Sequence, residues 1–185
     1  MENGESSYRR FLAGDDSAMT ELIDEYADGL ILYLNTIMCD LRASEEAAED
    51  TFVKLVTKKP RFSGKSSFKT WLYSVGRNTA LDRMRHEARE RTLPLDAIAE
   101  MAGDAEVERE YLREEKKIEL RCAMKRLKPE YGQVLWLIYF EEQSASEIAK
   151  IMKKSRNAVE QLATRARRAL RAELEKEGAD FDRSR

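Results

Sequence analysis

Apolar residues in this chain recur every three or four positions, over long stretches that contain almost no glycine or proline. The 185 residues include only eight Gly and three Pro, so few positions interrupt a helical hydrogen-bond ladder. The spacing is clearest at about 17–39, 45–57 and 67–91, and no segment shows the strict alternation of a half-buried strand. The sequence therefore predicts an all-α fold.

The helical pattern is interrupted once, which divides the chain into two small helical domains. The interruption covers 92–116, is rich in acidic residues and is interpreted as a flexible linker. Each flanking segment is long enough for a small bundle of amphipathic helices. Gly178 is a plausible helix stop. The predicted divisions are 1–91, 92–116, 117–178 and a disordered tail at 179–185.

The composition argues against several kinds of protein. One histidine, His86, and two distant cysteines, Cys39 and Cys122, are too few for a structural zinc site, and the Glu-x-x-His pairs of a bundle metal site are absent. The Gly64-Lys65-Ser66 triplet lacks the first glycine of a phosphate-binding loop. No run approaches the roughly 18 apolar residues of a membrane span. We therefore expect a cytoplasmic protein that is not an enzyme, with no cofactor, metal or small-molecule substrate.

The formal net charge of −2 conceals a strong segregation of charge along the chain. Residues 1–53 carry a net charge of −10, 54–91 of +8, 92–116 of −5, and 117–185 of +5. Two basic blocks that each neighbour an acidic block favour contact with a polyanion. Solvated helix faces would produce the same pattern, so the blocks must be judged together with their motifs.

A helix-turn-helix pattern lies in the second basic block. Ser144 and Glu147 have the spacing of a capping box before one short helix, and Ser155 can cap a second, basic helix. Such a helix can enter the major groove while its Lys and Arg side chains neutralise phosphates. The alternative is a helical bundle with one solvated basic helix. The outward residues are Ser155, Arg156, Asn157, Glu160, Gln161, Thr164, Arg165 and Arg168.

The first basic block combines aromatic and basic residues on a loop and the helix that follows it. Such a mixture suits single-stranded nucleic acid, because rings stack on bases and cations follow the phosphates. Phe68 and Trp71 also have core spacing with Leu72, which makes the loop residues the better binding candidates. The candidates are Phe62, Ser63, Gly64, Lys65, Ser66, Ser67, Arg77, Asn78, Asp82 and Arg83.

These two motifs together resemble bacterial sigma factors of the sigma-70 family, in particular the extracytoplasmic-function (ECF) group. Phe62 to Arg83 resembles sigma region 2, and Ser144 to Leu170 resembles region 4. The resemblance implies a subunit that binds core RNA polymerase and directs promoter-specific initiation. Region 2 would melt the minus-ten element and hold an unpaired base, and region 4 would read the minus-thirty-five element as duplex.

The resemblance also implies protein partners. The segment from Ser44 to Leu55 is similar to the helix that these factors press against the polymerase clamp, and its matching residues are Glu45, Glu46, Glu49, Phe52, Lys54 and Leu55. An acidic linker would run toward the active-centre cleft. A membrane-linked anti-sigma factor is a further expected partner. The chain departs from the family at Glu160, where Lys or Arg is common, and at Leu162, where Arg is common, which leaves the minus-thirty-five contacts open.

A free-standing helix-turn-helix regulator with a helical sensing domain is the alternative function. Regulators of that class usually bind as dimers to two half-sites. This alternative predicts DNA binding without polymerase, and it gives no role to the run from Phe62 to Arg83.

Overall fold

The computed structural model describes residues 4–90 and 123–183, and all of the secondary structure in these ranges is helical. The predicted linker at 92–116 lies outside the described residues, as do Cys122 and the last two residues of the predicted tail. The helices are α1 (Gly4–Leu12), α2 (Ser17–Met38), α3 (Leu41–Lys58), α4 (Phe68–Glu90), α5 (Pro129–Tyr139), α6 (Ala145–Met152) and α7 (Arg156–Arg183).

The helix ends follow from local hydrogen bonding. Asp40, not Ser44, caps α3 by accepting a bond from the Ala43 amide, so this helix begins four residues earlier than the sequence predicts. The capping box of α6 is confirmed, because the Ser144 hydroxyl and the Glu147 carboxylate each satisfy the other's backbone amide. The sequence analysis did not predict α1.

The first half of the molecule, α1 to α4, packs around α2. Tyr8 of α1 lies against the rings of Phe68 and Trp71, with centroids 5.5 and 5.3 Å away. Its hydroxyl donates to the Pro60 carbonyl at 2.8 Å, and burial raises the pKa of Tyr8 to about 12. This aromatic cluster fixes α1 and the chain before α4 to one core.

The second half, α5 to α7, forms the predicted helix-turn-helix. Ile148 of α6 and Val159 of α7 are buried, and Lys153 turns the chain between the two helices in a left-handed conformation. The predicted helix stop at Gly178 was wrong, since α7 continues to Arg183. One glycine destabilises a helix by about 1 kcal/mol, and the high helix propensity of the neighbouring Glu, Lys and Ala residues offsets this cost.

The two halves pack against each other. Helix α5 lies on α2, and α6 lies on α4. Gly132 of α5 faces α2, and an added Cβ there would lie in ordinary van der Waals contact with Thr36, at 3.7 Å. The buried residues of both halves therefore form one continuous cluster.

Several apolar residues that helical spacing would place inside are instead exposed. Ile23 on α2 and Val56 on α3 have helical spacing with buried neighbours, but 38% and 41% of their surface is accessible. Met84 and Leu174 are exposed to a similar extent. Each lies at the edge of its helix's apolar face, where the way the neighbouring helix crosses decides whether the side chain is buried.

Candidate nucleic-acid and partner interfaces

The loop between α3 and α4 presents the predicted minus-ten residues at the surface. Ser63, Gly64 and Lys65 are exposed. Gly64 has a φ of +69°, and an added Cβ there would meet nothing within 4 Å, so its requirement for glycine is conformational. Ser67 ends the loop by accepting a hydrogen bond from the Thr70 amide at 3.1 Å, which starts α4. The loop is thus a fixed turn with an accessible tip.

Phe62 anchors this loop. Its ring is half-buried, 5.4 Å from Trp71 and 5.8 Å from Phe68 between centroids. Phe68 is buried, as its helical spacing predicted. The aromatic residues therefore hold the loop in place, and its polar tip is the part available to a ligand.

The structure separates the predicted minus-ten residues on α4. Arg83 pairs with Asp50 Oδ2 at 2.7 Å and also with Glu46, so it joins α4 to α3. The hydrogen bond that Arg83 donates to Asp50 is the main cause that raises the pKa of Arg83. Asn78 is half-buried ten residues after Phe68, about 15 Å along the helix. The loop and Asn78 therefore do not form one small pocket.

Asp82, the acidic residue among the predicted minus-ten residues, is exposed and pairs with Arg85 at 2.7 Å. This pair lies one turn apart on the helix surface, where such contacts contribute little to stability. Asp82 is accessible, but its charge is already partly matched.

All of the predicted minus-thirty-five residues are exposed on one side of α7 or at its start. The Ser155 hydroxyl caps the helix by accepting from the Ala158 amide at 3.2 Å. Arg156 Nε donates to Glu160 Oε1 at 2.9 Å. This ion pair holds an acid and a base side by side at the helix end that would approach the major groove.

Helix α3 divides the predicted polymerase-binding residues into two groups. Glu45 and Glu49 lie on its outer side and Glu46 pairs with Arg83 of α4, whereas Phe52 and Leu55 are buried and support the helix from within. The sixth residue, Lys54, donates to the Thr79 hydroxyl of α4 at 2.9 Å.

Two exposed valines complete the outer surface of α3. Val53 and Val56 are 55% and 41% accessible and lie three residues apart, on the same face of the helix. The sequence analysis named neither valine as a candidate for partner binding. Together with Glu49 they make a surface that is partly apolar and partly acidic.

Polar contacts between residues far apart in the sequence connect the first half to the second. Lys69 Nζ lies 2.6 Å from Glu141 Oε2, and the Thr70 hydroxyl donates to Gln143 Oε1 at 3.0 Å. Two more contacts flank these: Arg77 Nε donates to Gln133 Oε1 at 3.1 Å, and Lys150 Nζ donates to the Lys65 carbonyl at 2.7 Å. No sequence pattern predicted them, because the partners lie 56 or more residues apart.

Glu141 is the central residue of this junction. Only 8% of its surface is accessible, and it also accepts a bond from Trp136 Nε1 at 3.1 Å. Tyr73 lies beside it, and burial first and Glu141 second raise the pKa of the Tyr73 hydroxyl. At Gly29, an added Cβ would lie 2.6 Å from that hydroxyl and 3.2 Å from the Glu141 carboxylate. The junction thus requires a residue without a side chain at position 29.

Comparison with known proteins identifies both halves. The family models for sigma-70 region 2 and sigma-70 region 4 match residues 22–90 and 117–170, about two thirds of the chain together. The RNA polymerase sigma factor YlaC of Bacillus subtilis is 28% identical over 86% of this chain and 93% of its own length. The ECF RNA polymerase sigma factor SigW of the same organism is 26% identical over 87% of this chain and 91% of its own.

A solved structure has the same fold. The sigma factor RpoE of Bartonella quintana, in complex with the anti-sigma factor NepR, superposes with a TM-score of 0.65 at 19% identity, over 84% of this chain and 96% of that one. None of the helices in the described ranges combines the length and apolar character that crossing a membrane requires.

Proposed function

This chain belongs to the sigma-70 family as a sigma factor of the ECF group that directs promoter-specific transcription. From that premise we propose which partner each of its surfaces binds. The first half, with α2, α3 and α4, contains region 2. The second half contains region 4. Both halves have the same two partners, core RNA polymerase and promoter DNA.

Region 4 reads the minus-thirty-five element with the exposed side of α7. The observation that carries this assignment is that all eight predicted residues are accessible on one helix of a formed helix-turn-helix, with basic side chains beside them. Glu160 can accept a hydrogen bond from a cytosine amino group, and the adjacent Arg156 can contact guanine. The ion pair between them orients both side chains before DNA arrives.

Region 2 melts the minus-ten element with the tip of the α3–α4 loop and with Asn78. Extruding a base from the duplex costs a few kcal/mol, so the protein must bind the unpaired base or its phosphates. The exposed Ser63, Gly64 and Lys65 offer backbone and side-chain donors for this. Arg83 acts indirectly, by holding α4 against α3.

Polymerase binds the outer surface of α3. This surface combines acidic Glu45 and Glu49 with the exposed Val53 and Val56, a mixture typical of protein interfaces. The acidic segment at 92–116 would lie on basic polymerase surface near the template channel. An anti-sigma factor is a further partner, since the RpoE chain of similar fold is bound to one.

The protein acts in the cytoplasm, where polymerase and promoter are found, and contributes no catalytic step of its own. The alternative regulator with a sensing domain is not favoured. A sensing domain would leave the region 2 match at 22–90 without a function.

Run-off transcription with core polymerase tests the proposal, with promoter fragments taken from upstream of the protein's own gene. We expect initiation at one position that depends on adding this protein. Tight DNA binding by the protein alone, together with no core-dependent initiation, would support the regulator instead.

A further inference from the structure

Helix α1 lies outside the part of the chain that the region 2 family model matches, which begins at residue 22. It nevertheless contacts the turn where α3 ends and the loop to α4 begins. The Tyr8 hydroxyl donates to the Pro60 carbonyl at 2.8 Å. The ammonium group of Lys59 lies over the ring of Phe11, 5.1 Å from the ring centre. Two side chains of α1 therefore hold two consecutive residues of this turn.

Lys59 has a backbone conformation that needs support from its surroundings. Its φ of +42° is left-handed, which is unfavourable for a residue with a side chain. The proline that follows adds to this, because a residue before proline favours an extended backbone. Such conformations persist only where neighbouring contacts hold them. The hydrogen bond to Pro60 and the cation–π contact of Lys59 are contacts of this kind.

Helix α1 can hold the turn because it is itself fixed to α2. Arg10 pairs with Asp15 at 2.7 Å and with Glu21 of α2 at 3.0 Å. Ser7 is buried, and its hydroxyl donates to the same Glu21 carboxylate at 3.0 Å. The turn is thus held against a fixed element of the first half.

The exposed tip of the loop, from Ser63 to Lys65, closely follows this turn. Because the chain between them is short, the position of Pro60 limits where the tip can lie. A site that is in its binding position in only a fraction of molecules has its affinity reduced by that fraction. Loss of the contact with α1 must therefore weaken whatever the tip binds.

We propose that α1 belongs to the promoter-melting site and that Tyr8 is a positioning residue for it. The Tyr8 hydroxyl holds the strained turn, and the turn places the tip of the loop where it binds the unpaired minus-ten base. Tyr8 is buried, so it acts through the loop and not by contact with DNA. This inference rests on the proposed function and extends it to a helix that precedes the matched region 2 residues.

Tyr8→Phe tests this, because it removes the hydroxyl and keeps the ring. Tyr33→Phe is the matched control, since it makes the same change at a buried tyrosine whose hydroxyl has no hydrogen-bond partner among the described residues. Open complexes with core polymerase are measured by permanganate reactivity of the minus-ten strand. Trypsin cleavage of the full chain after Arg61 measures how often the loop leaves its position.

We expect Tyr8→Phe to form about two- to twelvefold fewer open complexes, the range that the loss of one hydrogen bond allows. Its cleavage after Arg61 should be faster than that of wild type. Its affinity for core polymerase should equal that of wild type, which also shows that the variant is folded. Tyr33→Phe should match wild type in all three measurements.

A series of promoters separates positioning of the loop from general damage to the fold. Each minus-ten base of the unpaired strand is replaced in turn by an abasic site. Wild type should lose its advantage over Tyr8→Phe at one position, because the place of the loop no longer matters once the base that it holds is absent. A variant that is only less stable would remain inferior on every promoter.

Two further substitutions test the strain at the turn. In the Tyr8→Phe protein, Lys59→Gly should restore most of the open complexes, because glycine adopts the left-handed conformation readily. Lys59→Ala is its control, since it removes the same ammonium group but keeps a Cβ, and it should restore none of them.

Normal promoter opening by Tyr8→Phe, or unchanged cleavage after Arg61, would overturn the inference. An equal defect in Tyr33→Phe, a defect that persists on every abasic promoter, or equal rescue by Lys59→Ala would overturn it as well. If wild type itself opens no promoter with core polymerase, the proposed function fails and the inference fails with it. If wild type and Tyr8→Phe open promoters equally well, only the positioning role of Tyr8 fails.

Discussion

Arg77, Asn78 and Arg83 lie on α4 within two helical turns of one another, yet their surroundings give them different roles. Arg83 is committed to Glu46 and Asp50 of α3, and Arg77 meets Gln133 of the second half. Sequence reasoning could place all three on one helix near a basic loop. It could not separate them, because their partners lie 33 to 56 residues away along the chain.

Asn78→Ala should impair promoter opening while leaving polymerase binding intact. A lost base-edge contact costs about 1–3 kcal/mol, so we expect roughly five- to 150-fold fewer open complexes, measured by permanganate reactivity of the minus-ten strand.

Ser74→Ala, a similarly half-buried polar position one turn earlier on α4, is the control and should open promoters normally. Normal melting by Asn78→Ala would remove this residue from the site.

Helix α3 shows how far the spacing of apolar residues predicts the face of an element. Phe52, Leu55 and Val56 all have helical spacing, yet Phe52 and Leu55 are buried whereas Val56 is exposed. Spacing alone leaves the edge of an amphipathic face undecided, since it depends on how the neighbouring helix crosses. The start of α3 was misplaced because Asp40 and Ser44 are equally good capping residues.

Val53→Ser combined with Val56→Ser should weaken binding to core polymerase. These side chains are exposed, so the unfolding temperature should change little, while the loss of apolar contact area should cost about 1–3 kcal/mol of binding. Competition for core against a labelled sigma factor measures the effect.

The control for these valines is Ile23→Ser, an exposed aliphatic residue on α2, which should leave core binding unchanged. Equal losses in all variants would show that α3 is not the specific contact.

Ser144→Ala should destabilise the helix-turn-helix by about 1 kcal/mol, because it removes one side of the capping box. Hydrogen bonds from Ser144 are the main cause that lowers the pKa of Glu147 below its ordinary 4.5. A lowered folded-state pKa stabilises the protein above the unfolded-state pKa, and this stabilisation is lost as pH falls through the folded value.

The difference in unfolding temperature between wild type and Ser144→Ala should accordingly shrink as the pH falls from the ordinary value of 4.5 through the lowered folded-state pKa of Glu147. Ser146→Ala, in the same first turn and exposed, serves as the control and should show no such pH dependence. A constant difference between wild type and Ser144→Ala at all pH values would show that the stability contributed by the Ser144 cap does not depend on the charge of Glu147.

At the scale of the whole molecule, the sequence predicts two helical domains, and the structure describes them packed into one body. The predicted break at 92–116 falls between the regions that the two family models match, 22–90 and 117–170. Composition could not reveal the packing, because burial of Glu141 beside Trp136 and Lys69 depends on three segments that only the fold brings together. The basic charge of α4 was read as accessible, whereas part of it faces the second half.

The two halves should unfold together in the free protein. The chain has two tryptophans, so Trp71→Phe leaves Trp136 as a fluorescent reporter of the second half. Its urea transition should coincide with the loss of total helix measured by circular dichroism, as two-state unfolding requires.

Glu141→Gln in the same Trp71→Phe background should separate the two transitions, since it weakens the junction. Separate transitions already in the Trp71→Phe protein would mean that the contact between the halves contributes little to stability.

The close approach at Gly29 has an evolutionary consequence. An added methyl group there would meet Tyr73 and Glu141 together, so a mutation at position 29 and one at position 141 act on the same junction. Selection on either position is then conditional on the other. Among descendants of a common ancestor, an acid at position 141 should be inherited with glycine at position 29. Lineages that have gained a side chain at position 29 should have been free to lose the acid.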